Sequence, residues 1–234
     1  MLLEVIATCV QDAITAEHSG ADRLELITAL TEGGLTPGIG MVQEVVRAVQ
    51  IPVHVMVRPH SRSFIYDAWD IATMVAEIKA IRSTGAAGIV LGALTEDGMI
   101  DERALEQMLA ASGSLQVTFH RAFDELKDQM SGLEVLKQYA PVTRILTSGG
   151  KPKACDAVPR IHQLVEAAQD SHIRILAGSG LSRAMIRDFV EQTGVSEVHF
   201  GTSVRYGQSA LAPIHPEELR RVAAALQQLR ESAK

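Results

Sequence analysis

The residues able to do chemistry fall at alternate positions of short apolar runs. In Val117-Thr118-Phe119-His120-Arg121-Ala122-Phe123-Asp124, the residues Gln116, Thr118 and His120 alternate with Leu115, Val117 and Phe119. A period of two places the sets on opposite faces of a strand. The pattern recurs: Glu4 lies between Leu3 and Val5, Arg23 and Glu25 flank Leu24, His54 and Met56 interleave with Val53, Val55 and Val57 ahead of Arg58, and His199 lies between Val198 and Phe200. Glu25 and His120 are of the type that exchanges protons with a substrate, and Arg58 is suited to clamp a carboxylate or a developing oxyanion. Glu4, Arg23, His54 and Thr118 share the same polar face and are candidate substrate contacts. His120, His199 and Glu25 are also a candidate metal-ligand set, with His54 and Met56 near them. Because buried charges need partners, the same cluster reads equally as an ion-pair network that fixes strand register.

A second signal is glycine. Ser148-Gly149-Gly150, Gly178-Ser179-Gly180 and Gly201-Thr202-Ser203 each follow an apolar run. Such turns let backbone amides approach an anion, which makes Ser148, Gly178, Gly180, Gly201 and Thr202 candidate phosphate contacts. No lysine sits at a strand end, Lys151 being the nearest, so the pattern argues against Schiff-base chemistry.

The elements that must position these groups repeat in order. Strands are predicted at Leu2 to Ala7, Arg23 to Ile27, Val53 to Val57, Ile89 to Leu94, the Val117 stretch, Arg144 to Thr147, Ile173 to Ala177 and Glu197 to Phe200. Between them lie helical stripes such as Met41, Val42, Val45 and Val46, or Ile161, Leu164 and Val165. Thr8 and Asp101 are predicted helix caps, and Pro216 opens the last helix. Eight strand-then-helix units with no break in composition predict one domain over residues 1–234, a closed (β/α)₈ TIM barrel. Sites in that fold sit at the C-terminal strand ends, which places Glu25, Arg58 and His120 near the mouth. The glycine turns after the seventh and eighth strands fall at the fold's usual phosphate position. The segment Val204 to Ile214 is expected to be a surface loop.

Composition narrows the partners. The 234 residues are 47% hydrophobic and 21% charged, with a net charge of −6, which gives no long-range attraction for nucleic acid or anionic membranes. No run reaches bilayer length, and Met1-Leu2-Leu3-Glu4 has no signal-peptide pattern, so a cytoplasmic location is expected. Two cysteines, Cys9 and Cys155, are too few for a disulfide framework or a thiolate-rich metal site.

Several stretches together resemble the CutC family, named for copper homeostasis. They are Gly20-Ala21-Asp22-Arg23-Leu24-Glu25-Leu26, Glu32-Gly33-Gly34-Leu35-Thr36-Pro37, Ile51 to Pro59, Val90-Leu91-Gly92 through Asp97-Gly98, Val117 to Asp124 and Leu146 to Gly150. The resemblance implies a cytoplasmic TIM barrel, copper as the bound ion and a homodimer. The chain departs from the family where cysteines are common: Ile6 and Ile27 stand there, and His60-Ser61-Arg62-Ser63 replaces Arg-Gly-Gly-Asp after Arg58-Pro59. Cu(I) prefers soft thiolate or thioether ligands. Two readings therefore stand open: a copper-binding homeostasis protein, and a lyase or isomerase for a small phosphorylated or carboxylated metabolite. A pure interaction scaffold would not need polar groups inside the barrel.

Overall fold

The computed structural model describes residues 1–232. Eight parallel strands close on themselves in chain order: β1 (Leu2–Ala7), β2 (Arg23–Leu26), β3 (Val53–Met56), β4 (Gly88–Leu91), β5 (Gln116–Phe119), β6 (Val142–Thr147), β7 (Arg174–Ala177) and β8 (Glu197–Phe200), with β8 pairing back onto β1. The helices between and after them are α1 (Val10–His18), α2 (Ile39–Ala48), α3 (Ala68–Arg82), α4 (Glu102–Ser112), α5 (Gln129–Leu136), α6 (Val158–Ala168), α7 (Ile186–Thr193) and α8 (Pro216–Ser232). This is the single-domain (β/α)₈ barrel that the alternation predicts. No helix among the described residues is long and apolar enough to cross a membrane.

Strand parity sorts the side chains as expected. Leu3, Val5, Leu24, Leu26, Val53, Val55, Val117, Phe119, Val198 and Phe200 belong to the apolar layer packed with the helices. Glu4, Arg23, Glu25, His54, Thr118 and His199 take the other face and are buried all the same. Above them, Ile6, Ile27, Met56 and Val90 form a separate small apolar cluster. The barrel therefore has a polar lower layer and a partly apolar upper wall.

Three differences from the sequence reading have local causes. The fifth strand stops at Phe119, and Arg121–Glu125 form a 3₁₀ turn whose start is capped by the His120 ring, which accepts from the Ala122 amide. The fourth strand ends at Leu91 rather than Leu94, because Leu94 turns away to pair with Ile100 and donates its amide to Phe64. Cys9, not Thr8, caps α1, since the Thr8 hydroxyl is drawn to Asp12. Asp12 is in turn held by Arg205 at 2.8 Å. Val204 to Ile214 is the surface loop expected, exposed through most of its length, but that ion pair anchors it at its ends. Arg205 is buried with Val204 and Ile214, and it also donates to the Ile6 and Ala212 carbonyls.

Room for the inner side chains comes from β4. A Cβ on Gly88 would lie 2.6 Å from the Gln116 carbonyl and 2.8 Å from His54 Nε2, and one on Gly92 would lie 2.7 Å from His120 Nδ1. Because the Gly88 clash is partly with backbone, a rotamer change cannot relieve it. Gly88→Ala is expected to destabilise the barrel by about 1–3 kcal/mol, the usual scale of overpacking, read as a lower midpoint in urea unfolding. An unchanged midpoint would show that the His54 wall can move.

Candidate functional site

The C-terminal mouth opens into a cavity of about 430 Å³. Glu25, Arg58, His120 and His199 line it together with Met56, Phe64 and Leu146, and the loops after β7 and β8 contribute Ser179, Gly180, Gly201 and Thr202. The structure thus brings together the three candidate catalytic residues and three of the five glycine-turn candidates.

The floor is built from paired charges. Neighbouring strands place Arg23 and His199 on either side of Glu4. One Glu4 oxygen accepts from Arg23 Nε, and the other accepts from His199 Nδ1 at 2.7 Å. Arg23 also reaches Glu197 at 2.6 Å, which Arg144 meets at 3.0 Å. Burial works against the Glu4 charge, but Arg23 and the His199 hydrogen bond outweigh it and hold the carboxyl well below its ordinary range.

Glu25 is different. His199 Nε2 lies 3.8 Å from Glu25 Oε2, while Glu25 Oε1 is buried without a hydrogen-bond partner among the described residues. Burial pushes its pKa up to about 7, opposed by His199 and reinforced by the Glu4 charge. Burial also opposes the charge on His199, yet Glu25 and the Glu4 hydrogen bond raise its pKa above the ordinary value. Glu4, His199 and Glu25 form a line in which Glu4 fixes the imidazole and Glu25 faces its free nitrogen. A carboxyl that titrates near neutrality beside this imidazole is suited to move a proton.

The opposite wall carries Arg58. Its guanidinium is 8% exposed and donates to the Glu32 and Gly34 carbonyls at 3.2 and 3.4 Å. No carboxylate pairs with it among the described residues, and it stacks 4.5 Å from the Phe64 ring centroid. His120 packs against the same phenylalanine, its ring 4.7 Å from Phe64. Burial and the nearby Arg58 charge lower its pKa to about 3.

The remaining candidates lie elsewhere. Glu4, Arg23, His54 and Thr118 sit under the cavity floor, with Thr118 Oγ1 3.4 Å from His54 Nδ1 and burial lowering the His54 pKa to about 3. Gly178 does not line the cavity; its missing side chain leaves space for Leu146 and His199. Ser148 is already engaged: the Asp124 carboxylate accepts from the Ser148 and Gly150 amides and from the hydroxyls of Thr147 and Ser148. An aspartate of the chain itself fills that turn. Asp124 gave no signal because its partner is 24 residues away in sequence. Phe64, Arg121 and Lys153 also went unread. Lys153, not Lys151, lines the cavity, its carbons lying where a Gly180 side chain would have to be.

A cation could approach only part of this set. Ligand atoms of Glu4, Glu25 and His199 all lie within 4.8 Å of one another, whereas His120 is outside that cluster. Both Glu4 oxygens are taken, by Arg23 and by His199. Met56 brings the one sulfur among the cavity-lining residues, while Cys9 caps α1 and Cys155 sits in a 3₁₀ turn. This donor set does not fit Cu(I), which favours sulfur.

Comparison with known proteins agrees with the architecture. The CutC family profile matches residues 1–204. A Homo sapiens protein named copper homeostasis protein cutC homolog is 42% identical over 198 residues, 85% of this chain and 72% of that protein. A family protein CutC of Salmonella enteritidis is 39% identical over 229 residues, 94% of this chain and 91% of its own length. A CutC crystal structure from Streptococcus agalactiae superposes with a TM-score of 0.81 at 31% identity, covering 86% of this chain and 98% of that one. An N-(5'-phosphoribosyl)anthranilate isomerase from Pyrococcus furiosus shares the fold alone, with a TM-score of 0.62 at 12% identity over 97% of this chain and 99% of its own. With its profile matched from the first strand through the eighth and its relatives aligned over most of their length, this chain belongs to the CutC family.

Proposed function

We propose that the cavity is an acid–base site for a small anionic metabolite, with Glu25 and His199 moving the proton and Arg58 holding the anion. The observation that carries this reading is the Arg58 guanidinium, buried and without a carboxylate partner among the described residues. A buried charge left uncompensated costs several kcal/mol in general, and an anionic ligand removes that cost on binding. Glu25 supplies the matching reactive group, a carboxyl whose pKa of about 7 makes it a base at neutral pH. The reaction class is a lyase or isomerase, in which a proton leaves one atom of the substrate and returns to another. The exposed Lys153 favours ligand attraction over Schiff-base chemistry, which calls for a desolvated amine.

The relatives' names connect the family to copper homeostasis, and we carry that link to this chain as a physiological role. That role rests on the relatives' names, since the cavity's donor set does not favour Cu(I) ligation. A net charge of −6 supports a small-molecule partner rather than nucleic acid or membrane, and a cytoplasmic location is proposed on family grounds. A homodimer remains part of the proposal on family grounds.

Thermal shift against a panel of small carboxylates, phosphate esters and Cu(I) tests the reading, since a ligand of the native state raises the melting temperature. An anionic metabolite is expected to stabilise the wild type, and Arg58→Ala to weaken its binding by at least about tenfold, the scale of a charge-assisted contact. Glu25→Gln should keep binding and lose turnover. Stabilisation by Cu(I) alone, unaffected by Arg58→Ala, would sink the proposal.

The pH dependence has a definite sign. For the metabolite so found, kcat/KM should rise through pH about 7 as Glu25 ionises, then fall once His199 loses its proton above its ordinary value. Stability runs the other way. Glu25 holds its proton more tightly folded, at about 7, than at its ordinary 4.5, so its contribution is full below 4.5 and is lost as pH rises through about 7. Glu25→Gln should flatten that loss in urea unfolding series; an unchanged slope would mean Glu25 is not the group that titrates.

A further inference from the structure

His120 is the buried polar residue of the cavity that proton transfer at Glu25 and His199 does not use. Its Nδ1 accepts the Ala122 amide at 3.2 Å, so in the neutral ring the hydrogen sits on Nε2. That Nε2 is buried with no partner among the described residues, on a side chain that is 3% exposed and lines the cavity. A buried donor left unpaired costs about 1–3 kcal/mol in general. Two neighbours keep the ring in place: the bare Gly92 Cα, where any Cβ would lie 2.7 Å from Nδ1, and the Phe64 ring at 4.7 Å. Arg58 packs on the same Phe64 ring, and its Nε is likewise buried and unpaired among the described residues.

This arrangement excludes two roles for His120. A general base needs a free lone pair, and the Nδ1 lone pair is engaged by the backbone. A metal ligand needs Nε2 without its hydrogen, beside a guanidinium that repels cations. What is left is donation. We propose that His120 Nε2–H and Arg58 together bind the oxygen of a carbonyl substrate, so that the proton taken by Glu25 is one on the carbon next to that carbonyl. This rests on the acid–base reading of Glu25 given above and names the substrate class. In the step, the C–H bond breaks and its proton passes to the Glu25 carboxylate. The C–H electron pair becomes the C=C bond of the enolate as the C=O electrons move onto oxygen, where His120 and Arg58 hold the new charge. Return of a proton from the Glu25 carboxylic acid to the enolate closes a racemisation or isomerisation with no oxidant or further reactant. His120 stays neutral throughout, in keeping with a pKa lowered by burial and by Arg58.

The test uses oxalate, a planar dianion shaped like an enolate, and the full-length protein. In ¹⁵N-resolved spectra of the imidazoles, the His120 ring is expected to stay in the neutral Nε2–H form from about pH 5 to about pH 8, and its Nε2–H proton to move downfield on adding oxalate. By calorimetry, His120→Ala should bind oxalate at least about tenfold more weakly, as for a lost hydrogen bond to a charged acceptor. His120→Gln, which keeps a side-chain N–H, should recover most of that loss. A His120 ring that titrates within this range, equal oxalate affinity in His120→Ala, or no oxalate binding at all would overturn the proposal. The spectra need no variant, so a folding defect in His120→Ala cannot mask the answer. If His120 behaves as stated while Glu25→Gln keeps full turnover, the acid–base reading fails and the donor role stands.

Discussion

The structure depends on how the inside of an eight-stranded barrel is filled. Eight strands enclose a space just wide enough for side chains, and here the lower layer is filled by charges rather than by branched hydrocarbons. Arg144 and Arg23 share Glu197, Arg23 passes to Glu4, and Glu4 ends on His199. Each link joins different strands, so the chain of ion pairs ties β6, β8, β2 and β1 in one register. Removing one partner would leave a buried charge alone, which is why such a network specifies register even where its net contribution to stability is small. The network also sets the chemistry above it. Once the Glu4 carboxylate has taken Nδ1–H, the only free nitrogen of His199 is the one that faces Glu25.

The cavity exists because other inward positions hold almost nothing. Gly88 and Gly92 on and after β4 leave room for His54 and His120, and Gly178 and Gly201 leave room for His199 and Ile6. Glycine serves here by lacking a side chain, not by taking an unusual backbone shape, since none of these four has a positive φ. The imidazoles that fill the gaps are therefore fixed by close approach to backbone. Asp124 acts in the same way on the loop after β6. By occupying the Ser148 and Gly150 amides it closes that turn to an outside anion, so of the three glycine turns those after β7 and β8 remain open to the cavity.

Parity made the barrel legible before its coordinates. Val53-His54-Val55-Met56-Val57 can satisfy both faces of a strand only if one is the helix side and the other the barrel interior, and a repeat of that pattern implies closure. Parity says nothing of height. Glu25, read near the mouth, does reach the cavity, whereas Glu4, read as a substrate contact, is locked beneath the floor, because height along a tilted strand depends on the shear of the whole barrel. Tertiary partners were equally hidden. Nothing local to Ser148 reveals Asp124, nothing near Val204 reveals the Asp12–Arg205 pair, and nothing in His199 shows that its Nδ1 is committed to Glu4. The extended reading of Arg121 to Asp124 failed for a related reason: the His120 ring caps the following residues and draws them into a 3₁₀ turn.

The charges around the cavity are polarised rather than scattered. The β2 and β8 side of the cavity carries Glu25 and His199 with Glu4 of β1 beneath them, whereas the β3 and β5 side carries Arg58 and the His120 donor. A metal cation placed at Glu25 would meet a histidine whose partners hold its proton more firmly than usual. An anion placed at Glu25 would be repelled by Glu4 from below. The ligand proposed above, with its electron-rich end toward Arg58 and its acidic hydrogen toward Glu25, satisfies both sides at once. The orientation of the proposed substrate thus follows from the same ion pairs that set the register of the strands, since those pairs decide which inner groups are left without a partner.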